Sequence, residues 1–156
     1  MSESSDLSLS SPAFADGDPI PERCGYRNEN VNPPLAIDGT PPETESFVLI
    51  VDDPDAMESS GKVWEHWVVW NVPVSTGTIP EDWDSSSTEA REGSNDYGEI
   101  GYGGPDPPDQ EHTYRFGLYA LDTTLAVDSG ARKNEVNRGM HGHVLAHAQL
   151  EGTYVP

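Results

Sequence analysis

The sequence predicts an all-β fold, a Greek-key β-sandwich with one or two short peripheral helices. Three observations carry this. Apolar residues gather into strand-length runs rich in Val, Ile, Trp, Tyr and Phe, which suit a pleated, half-buried surface. Loops dense in Pro, Gly and Ser separate the runs, at 32–34, 39–42, 85–87 and 101–109. The spacing leaves no room for the crossover helices that a parallel sheet needs.

In chain order, Leu7–Phe14 reads as a short strand. Ser46–Val51 (SFVLIV) and His66–Val72 (HWVVWNV) are nearly continuous in apolar residues, as strands covered on both faces are. Tyr114–Leu121 (YRFGLYAL) is the third clear strand. Ala131–His141 has helical character: Val136 and Met140 stand at i, i+4, and Gly142 is a candidate C-terminal cap. The last strand, His143–Thr153, alternates. Val144, Ala146, Ala148 and Leu150 share one side, and His143, Leu145, His147 and Gln149 the other.

At 156 residues the chain fits one domain over 1–156, with residues 1–6 expected to form a flexible N-terminus. Four Trp, six Tyr and three Phe are enough to build a core. The net charge of −20, with 28 acidic residues against 8 basic ones, is the extreme feature. Self-repulsion of that size opposes collapse in dilute buffer. At about 1 M salt the screening length falls to about 3 Å and most of it disappears. The acids run along the whole chain and Lys62 and Lys133 are the only lysines, so we read a solubilising coat for a salt-rich cytoplasm and expect a halophilic source.

The same charge excludes nucleic acid as a partner, because no basic patch exists to displace counterions from phosphates. Cys24 stands alone, which excludes an intrachain disulfide and a cysteine metal site. Met1–Ser10 has neither a basic nor an apolar region of a signal peptide, and no run of about 18 apolar residues occurs. A cytoplasmic protein with no integral membrane segment is the expectation.

Three segments combine strand ends with ionisable groups. Asp52-Asp53-Pro54-Asp55 follows the run SFVLIV, and Pro54 stops the ladder there, leaving Asp53 and Asp55 where strand becomes loop. The plain alternative is a solvated Asx turn. Trp64-Glu65-His66-Trp67 opens an apolar strand, where an ordinary half-buried histidine is the plain alternative. Gly101–Pro108 feeds His112-Thr113-Tyr114. Glycines let backbone N–H groups approach a ligand, and prolines stiffen the loop. His112 and Tyr114 stand two apart and share a strand face.

Together with Ser11–Phe14 and Asn30–Leu35, the motifs VDDPDA (51–56), HWVVWNVP (66–73), YGGPDPP (102–108), HTYRFGLYALD (112–122) and GHVLAHAQLEGTY (142–154) resemble the phosphatidylethanolamine-binding protein family, in its bacterial and archaeal Raf-kinase-inhibitor-like branch. The likeness runs in order along nearly the whole chain. It implies a Greek-key sandwich with an edge pocket for phosphate-like groups, such as a phospholipid head group or a phosphorylated side chain. Carried over by motif position, that pocket is Asp53, Asp55, His66, Gly104, Pro105, His112 and Tyr114. Thr113 replaces the family's usual basic residue, Met57 its usual proline after DPDA, and Asp109-Gln110-Glu111 its glycine-rich stretch. With Asp106, two of these put three acids beside an expected anion site, so binding there should depend on salt.

Two function classes follow. The first is a binding module for a small anionic or phosphorylated ligand, held without cofactor or catalytic residue and able to regulate a protein partner. The second is a metal-dependent enzyme, because His66, His112 and Asp53 match the ligand types of a two-histidine, one-carboxylate triad. The family branch also admits a homodimer.

Overall fold

The computed structural model describes residues 6–156. Apart from Asp6, the expected flexible N-terminus therefore lies outside the described residues. The strands are β1 (Ser8–Ser10), β2 (Leu35–Asp38), β3 (Ser46–Asp53), β4 (Trp64–Pro73), β5 (Thr78–Ile79), β6 (Arg91–Glu92), β7 (His112–Leu121) and β8 (Val144–Tyr154). Two short helices accompany them, α1 (Met57–Ser60) and α2 (Lys133–Met140). The strands form two antiparallel sheets, ordered β1-β2-β5 and β6-β4-β3-β7-β8. The chain leaves β4, visits β5 in the small sheet and β6 at the outer edge, and returns as β7 on the far side of β3.

All eight residues of β3 are buried, which explains its unbroken apolar run. Phe47, Leu49 and Val51 face the main core between the sheets, alongside Trp67, Val69, Phe116 and Leu118. Val48 and Ile50 face the opposite way, into a second core with Val68, Trp70, Leu121, Val136 and Met140. Val136 and Met140 are the buried positions of α2, so the i, i+4 pair in the sequence marks the face that covers the sheet. Gly142 takes φ +83°, the left-handed conformation expected one residue past the helix cap.

On β8 the predicted alternation holds from Ala146 through Leu150, but Val144 is 46% exposed because it opens the strand at the sheet's end. The strand read over Leu7–Phe14 is confined to Ser8–Ser10. Ser11 leaves the ladder, its hydroxyl bonding the Pro34 carbonyl and the Ala13 amide. β2, β5 and β6 were not anticipated. Two of them are two residues long, too short for any periodicity to show.

The strand geometry sets up the site. The β3–β4 register shifts between Val51↔Trp67 and Asp52↔Glu65, which leaves His66 as an extra, bulged residue. The bulge frees its backbone and side chain to reach the 101–111 loop. In the second core, Trp70 is fully buried and its indole N–H bonds the Val127 carbonyl at 3.1 Å. Trp70→Ala should therefore cost about 3–5 kcal/mol in urea unfolding at fixed salt. A loss below about 1 kcal/mol would mean that the α2 side of the sheet is not a packed core.

Candidate functional site

Asp53 ends β3 and caps the following 3-10 turn, Pro54–Ala56: one carboxylate oxygen accepts from the Asp55 amide at 2.9 Å. The other oxygen lies 2.6 Å from Nδ1 of His112, the first residue of β7. On the far side of the same ring, Nε2 lies 2.9 Å from Asp109. His112 is thus a buried imidazole between two carboxylates. Burial alone would lower its pKa, but the hydrogen bonds and charges of Asp53 and then Asp109 outweigh it and raise the pKa above the ordinary histidine value. Unit charges about 4 Å apart near a protein surface attract by about 4 kcal/mol, which acts in the same direction. Its position between two carboxylates favours the doubly protonated ring, and both ring nitrogens are engaged.

His66 goes the other way. Its ring Nδ1 sits 2.7 Å from the Gly103 carbonyl, while the His66 carbonyl accepts from the Gly103 amide at 2.9 Å. This reciprocal pair docks the glycine-rich loop on the bulge. Burial, only partly opposed by the Gly103 bond, pushes the His66 pKa below its usual value. Tyr114 is 1% exposed, and its hydroxyl has no hydrogen-bond partner of ordinary geometry, though it lies near Asp53. Burial first, and Asp53 second, raise its pKa.

Asp53, His66, His112 and Tyr114 converge on one cavity of about 190 Å³, with Trp64 and Tyr97 as further walls. Ser59, Ser60, Asp106, Pro107 and Pro108 complete its lining. The rings of Trp64 and Tyr97 meet edge to face at 4.9 Å, and Tyr97 stacks on Tyr26 at 3.8 Å. The Tyr97 hydroxyl donates to the Gly104 carbonyl.

Three predicted site residues do not line the cavity; they hold its frame. The Asp55 carboxylate accepts from the Thr113 amide at 2.8 Å, which fixes the start of β7. The Gly104 amide, expected as a donor to a ligand, already donates to the Asn30 side chain at 2.8 Å. A Cβ at Gly104 would lie 2.0 Å from the Cys24 carbonyl, so close packing accounts for this glycine. Pro105 borders a neighbouring groove of about 690 Å³, which shares Asp106 with the cavity.

Sequence reasoning missed Tyr97, which lies in a polar turn (Ser94–Gly98) with no periodicity. It also missed Asn95, which is fully buried. The Asn95 side chain organises that turn by donating to the Gly101 carbonyl and accepting from the Tyr97 amide. Of the three acids beside the pocket, Asp106 pairs with Arg27, Asp109 pairs with His112, and Glu111 borders the groove. A metal triad of Asp53, His66 and His112 meets a geometric obstacle: both ring nitrogens of His112 and Nδ1 of His66 are engaged. Among the described residues no group of three such side chains is placed to hold a metal ion.

A β-sandwich with an acidic and aromatic pocket at one sheet end defines a ligand-binding class of protein. A sequence model of the phosphatidylethanolamine-binding protein family matches residues 10–155. A UPF0098 protein of Methanothermobacter thermautotrophicus is 44% identical over 151 residues, covering 95% of this chain and 98% of that protein. The structure of a putative phosphatidylethanolamine-binding protein homolog from Chlamydia trachomatis superimposes with a TM-score of 0.89 at 38% identity, covering 96% of this chain and 97% of that one. The structure of Escherichia coli YbcL gives a TM-score of 0.87 at 30% identity, covering 96% and 98%. The chain belongs to the phosphatidylethanolamine-binding protein family. Among the described residues no helix is long and apolar enough to cross a membrane.

The opposed histidine shifts make a prediction about pH. His112 is raised, so its contribution to stability is complete below the unfolded pKa, about 6.5, and is lost as pH rises through its folded pKa. His66 is lowered, so the unfolded chain takes up its proton first and stability is lost as pH falls below about 6.5. NMR titration should show His112 titrating above the ordinary value and His66 below it. Coincident titration near 6.5 would contradict the geometry.

Proposed function

We propose that this protein binds a small phosphorylated head group in the pocket formed by Asp53, His66, His112 and Tyr114, without turning it over. The observation that carries this reading is the Tyr114 hydroxyl, buried at the cavity wall near Asp53 but without a protein hydrogen bond of ordinary geometry. A buried polar group left unpaired costs about 1–3 kcal/mol, and a polar ligand group relieves that cost. The cavity of about 190 Å³ suits a small head group, a phosphate with a few carbon atoms.

Binding without catalysis is supported at the cavity, where neither of the two lining serines bonds a base. The Ser59 and Ser60 hydroxyls turn to the Ala56 carbonyl, not to a histidine. The wider reading is of a Raf-kinase-inhibitor-like regulator in a salt-rich cytoplasm, acting through a protein partner and pairing as a homodimer. Its support is the motif likeness and the charge of −20.

O-Phosphoethanolamine or glycerophosphate at millimolar concentration in 2 M NaCl should raise the melting temperature. A ligand at 100 times its Kd adds about 2.7 kcal/mol. For a chain of this size that is a shift of about 5–10 °C. Tyr114→Phe, which removes only the hydroxyl, should lose most of the gain. No shift with either compound or with inorganic phosphate would end the proposal. Separately, stability without ligand should rise steadily from 0.1 to 2 M NaCl, and a flat profile would remove the case for salt adaptation.

A further inference from the structure

Two consecutive residues at the start of α2 grip two elements that carry pocket residues. Arg132, which precedes the helix, pairs with Asp96 and lies 3.3 Å from Glu65. Lys133, the first helical residue, bonds Asp52 at 3.1 Å. In the chain Asp96 is followed by Tyr97 and Asp52 by Asp53, and both of those followers line the cavity. Among the described residues, neither Asp96 nor Asp52 lines it, and no residue of α2 does. The helix thus reaches the pocket from behind, through one peptide unit on each side.

Asp96 is the hub of one wall. Its carboxylate also accepts from the Glu65 amide at 2.8 Å and from Lys62 at 2.9 Å, and its own amide donates to the Glu65 carbonyl at 2.9 Å. Glu65 stands between Trp64 and His66, and Lys62 lies two residues after Ser60. One carboxylate therefore draws together the segments that supply Ser60, Trp64, His66 and Tyr97 to the cavity. Burial opposes its ionisation, but the bonds from Glu65, Lys62 and Arg132 outweigh it and hold its pKa below the usual carboxylate value. The chain leading into α2 is stitched to the same turn. Ser94 donates its amide to the Ala131 carbonyl at 2.9 Å and its hydroxyl to the Gly130 carbonyl at 2.7 Å, and the Gly130 amide donates to the Glu92 carbonyl at 2.9 Å. A Cβ at Gly93 would lie 2.3 Å from the Ala131 carbonyl oxygen, so backbone meets backbone there. β6, which leads into the turn, is two residues long, and these ties supply much of what holds the turn to the sheet.

We infer that the start of α2 is a clasp that sets the pocket from outside. With Arg132 on Asp96 and Lys133 on Asp52 the walls keep their binding arrangement; releasing the helix start loosens the Tyr97 turn and lowers affinity. Arg132 and Lys133 are positioning residues, acting through Asp96 and Asp52. Their control is separable from folding, because removing either leaves no buried carboxylate unpaired. Lys62 and the Glu65 amide remain on Asp96, and Arg115 remains on Asp52 at 2.9 Å. Coupling of this kind is reciprocal: a ligand that needs the held walls tightens the seat of α2 by the same factor. The inference rests on the head-group reading above for what fills the pocket, while the clasp itself is defined without a ligand.

Amide hydrogen exchange and calorimetry on the full chain at constant salt test this with Arg132→Gln, Lys133→Gln and Arg132→Lys. Without ligand, Arg132→Gln should speed exchange of the 94–98 amides by about tenfold while the β7 and β8 amides keep their wild-type rates. Arg132→Lys should recover part of that protection. In wild type, O-phosphoethanolamine should slow exchange within α2, and Arg132→Gln and Lys133→Gln should each weaken its binding by about fivefold or more. Unchanged exchange at 94–98 overturns the clasp, and so does an equal rise at β7 and β8, which would be a general loss of stability. Unchanged affinity in both glutamine variants overturns its control of the pocket and leaves the head-group reading standing. If wild type binds none of O-phosphoethanolamine, glycerophosphate and inorganic phosphate, the head-group reading falls, and exchange at 94–98 alone decides the clasp.

Discussion

The 2.6 Å contact between Asp53 and His112 joins the last residue of β3, the strand buried on both faces, to the first residue of β7, its partner. Much else hangs on that junction. The same carboxylate caps the turn that ends β3, so the strand cannot lengthen without losing the pair. The same imidazole reaches Asp109 and so ties down the loop that leads into β7. A buried carboxylate and a buried imidazole would each be costly alone. Paired and hydrogen-bonded, each makes the burial of the other tolerable. The pocket is the space left beside this junction, and its shape follows from an ion pair that no ligand has to supply.

That junction also divides the labour between two histidines that look alike in sequence. His112 lies between carboxylates, which raise its pKa; His66 is bulged into a buried wall and faces a carbonyl, and burial lowers its pKa. Two chemically identical rings are thus biased in opposite directions, one toward the cation and one toward the neutral form. Divergent environments of this kind are what separate a binding or reactive site from a merely polar crevice.

What was legible in the sequence depended on range. The long strands and the covered face of α2 were legible because period and burial are local properties of eight to eleven residues. The pairing of Asp53, His66, His112 and Tyr114 was legible only through motif likeness, since 59 residues separate Asp53 from His112. Its geometry was not legible. The bulge that displaces His66 toward the 101–111 loop is a register event between two strands, and the engagement of the Gly104 amide depends on Asn30, 74 residues away. The acids of the 106–111 segment looked like repulsion toward an anion. In the fold, Asp106 and Asp109 are each satisfied by a cation from within the protein.

The distribution of the few cations completes this picture. Among the described residues, six of the eight basic side chains sit in ion pairs with carboxylates, and five of those six brace the pocket region. Arg115 and Lys133 hold the buried Asp52, next to Asp53. Lys62 and Arg132 hold Asp96, next to Tyr97, and Arg27 holds Asp106 at the rim. Exposed pairs contribute little to stability, about 0–1 kcal/mol each. Asp52 and Asp96 are nearly fully buried, however, and leaving either unpaired would cost more than a surface pair gains. Salt sharpens the contrast. With a screening length of about 3 Å, repulsion spread over the acidic coat fades, while contacts at about 3 Å retain much of their strength. A chain with so few cations therefore places them where charge must act at short range, around the pocket, and leaves the remainder of its surface to the solvent's ions.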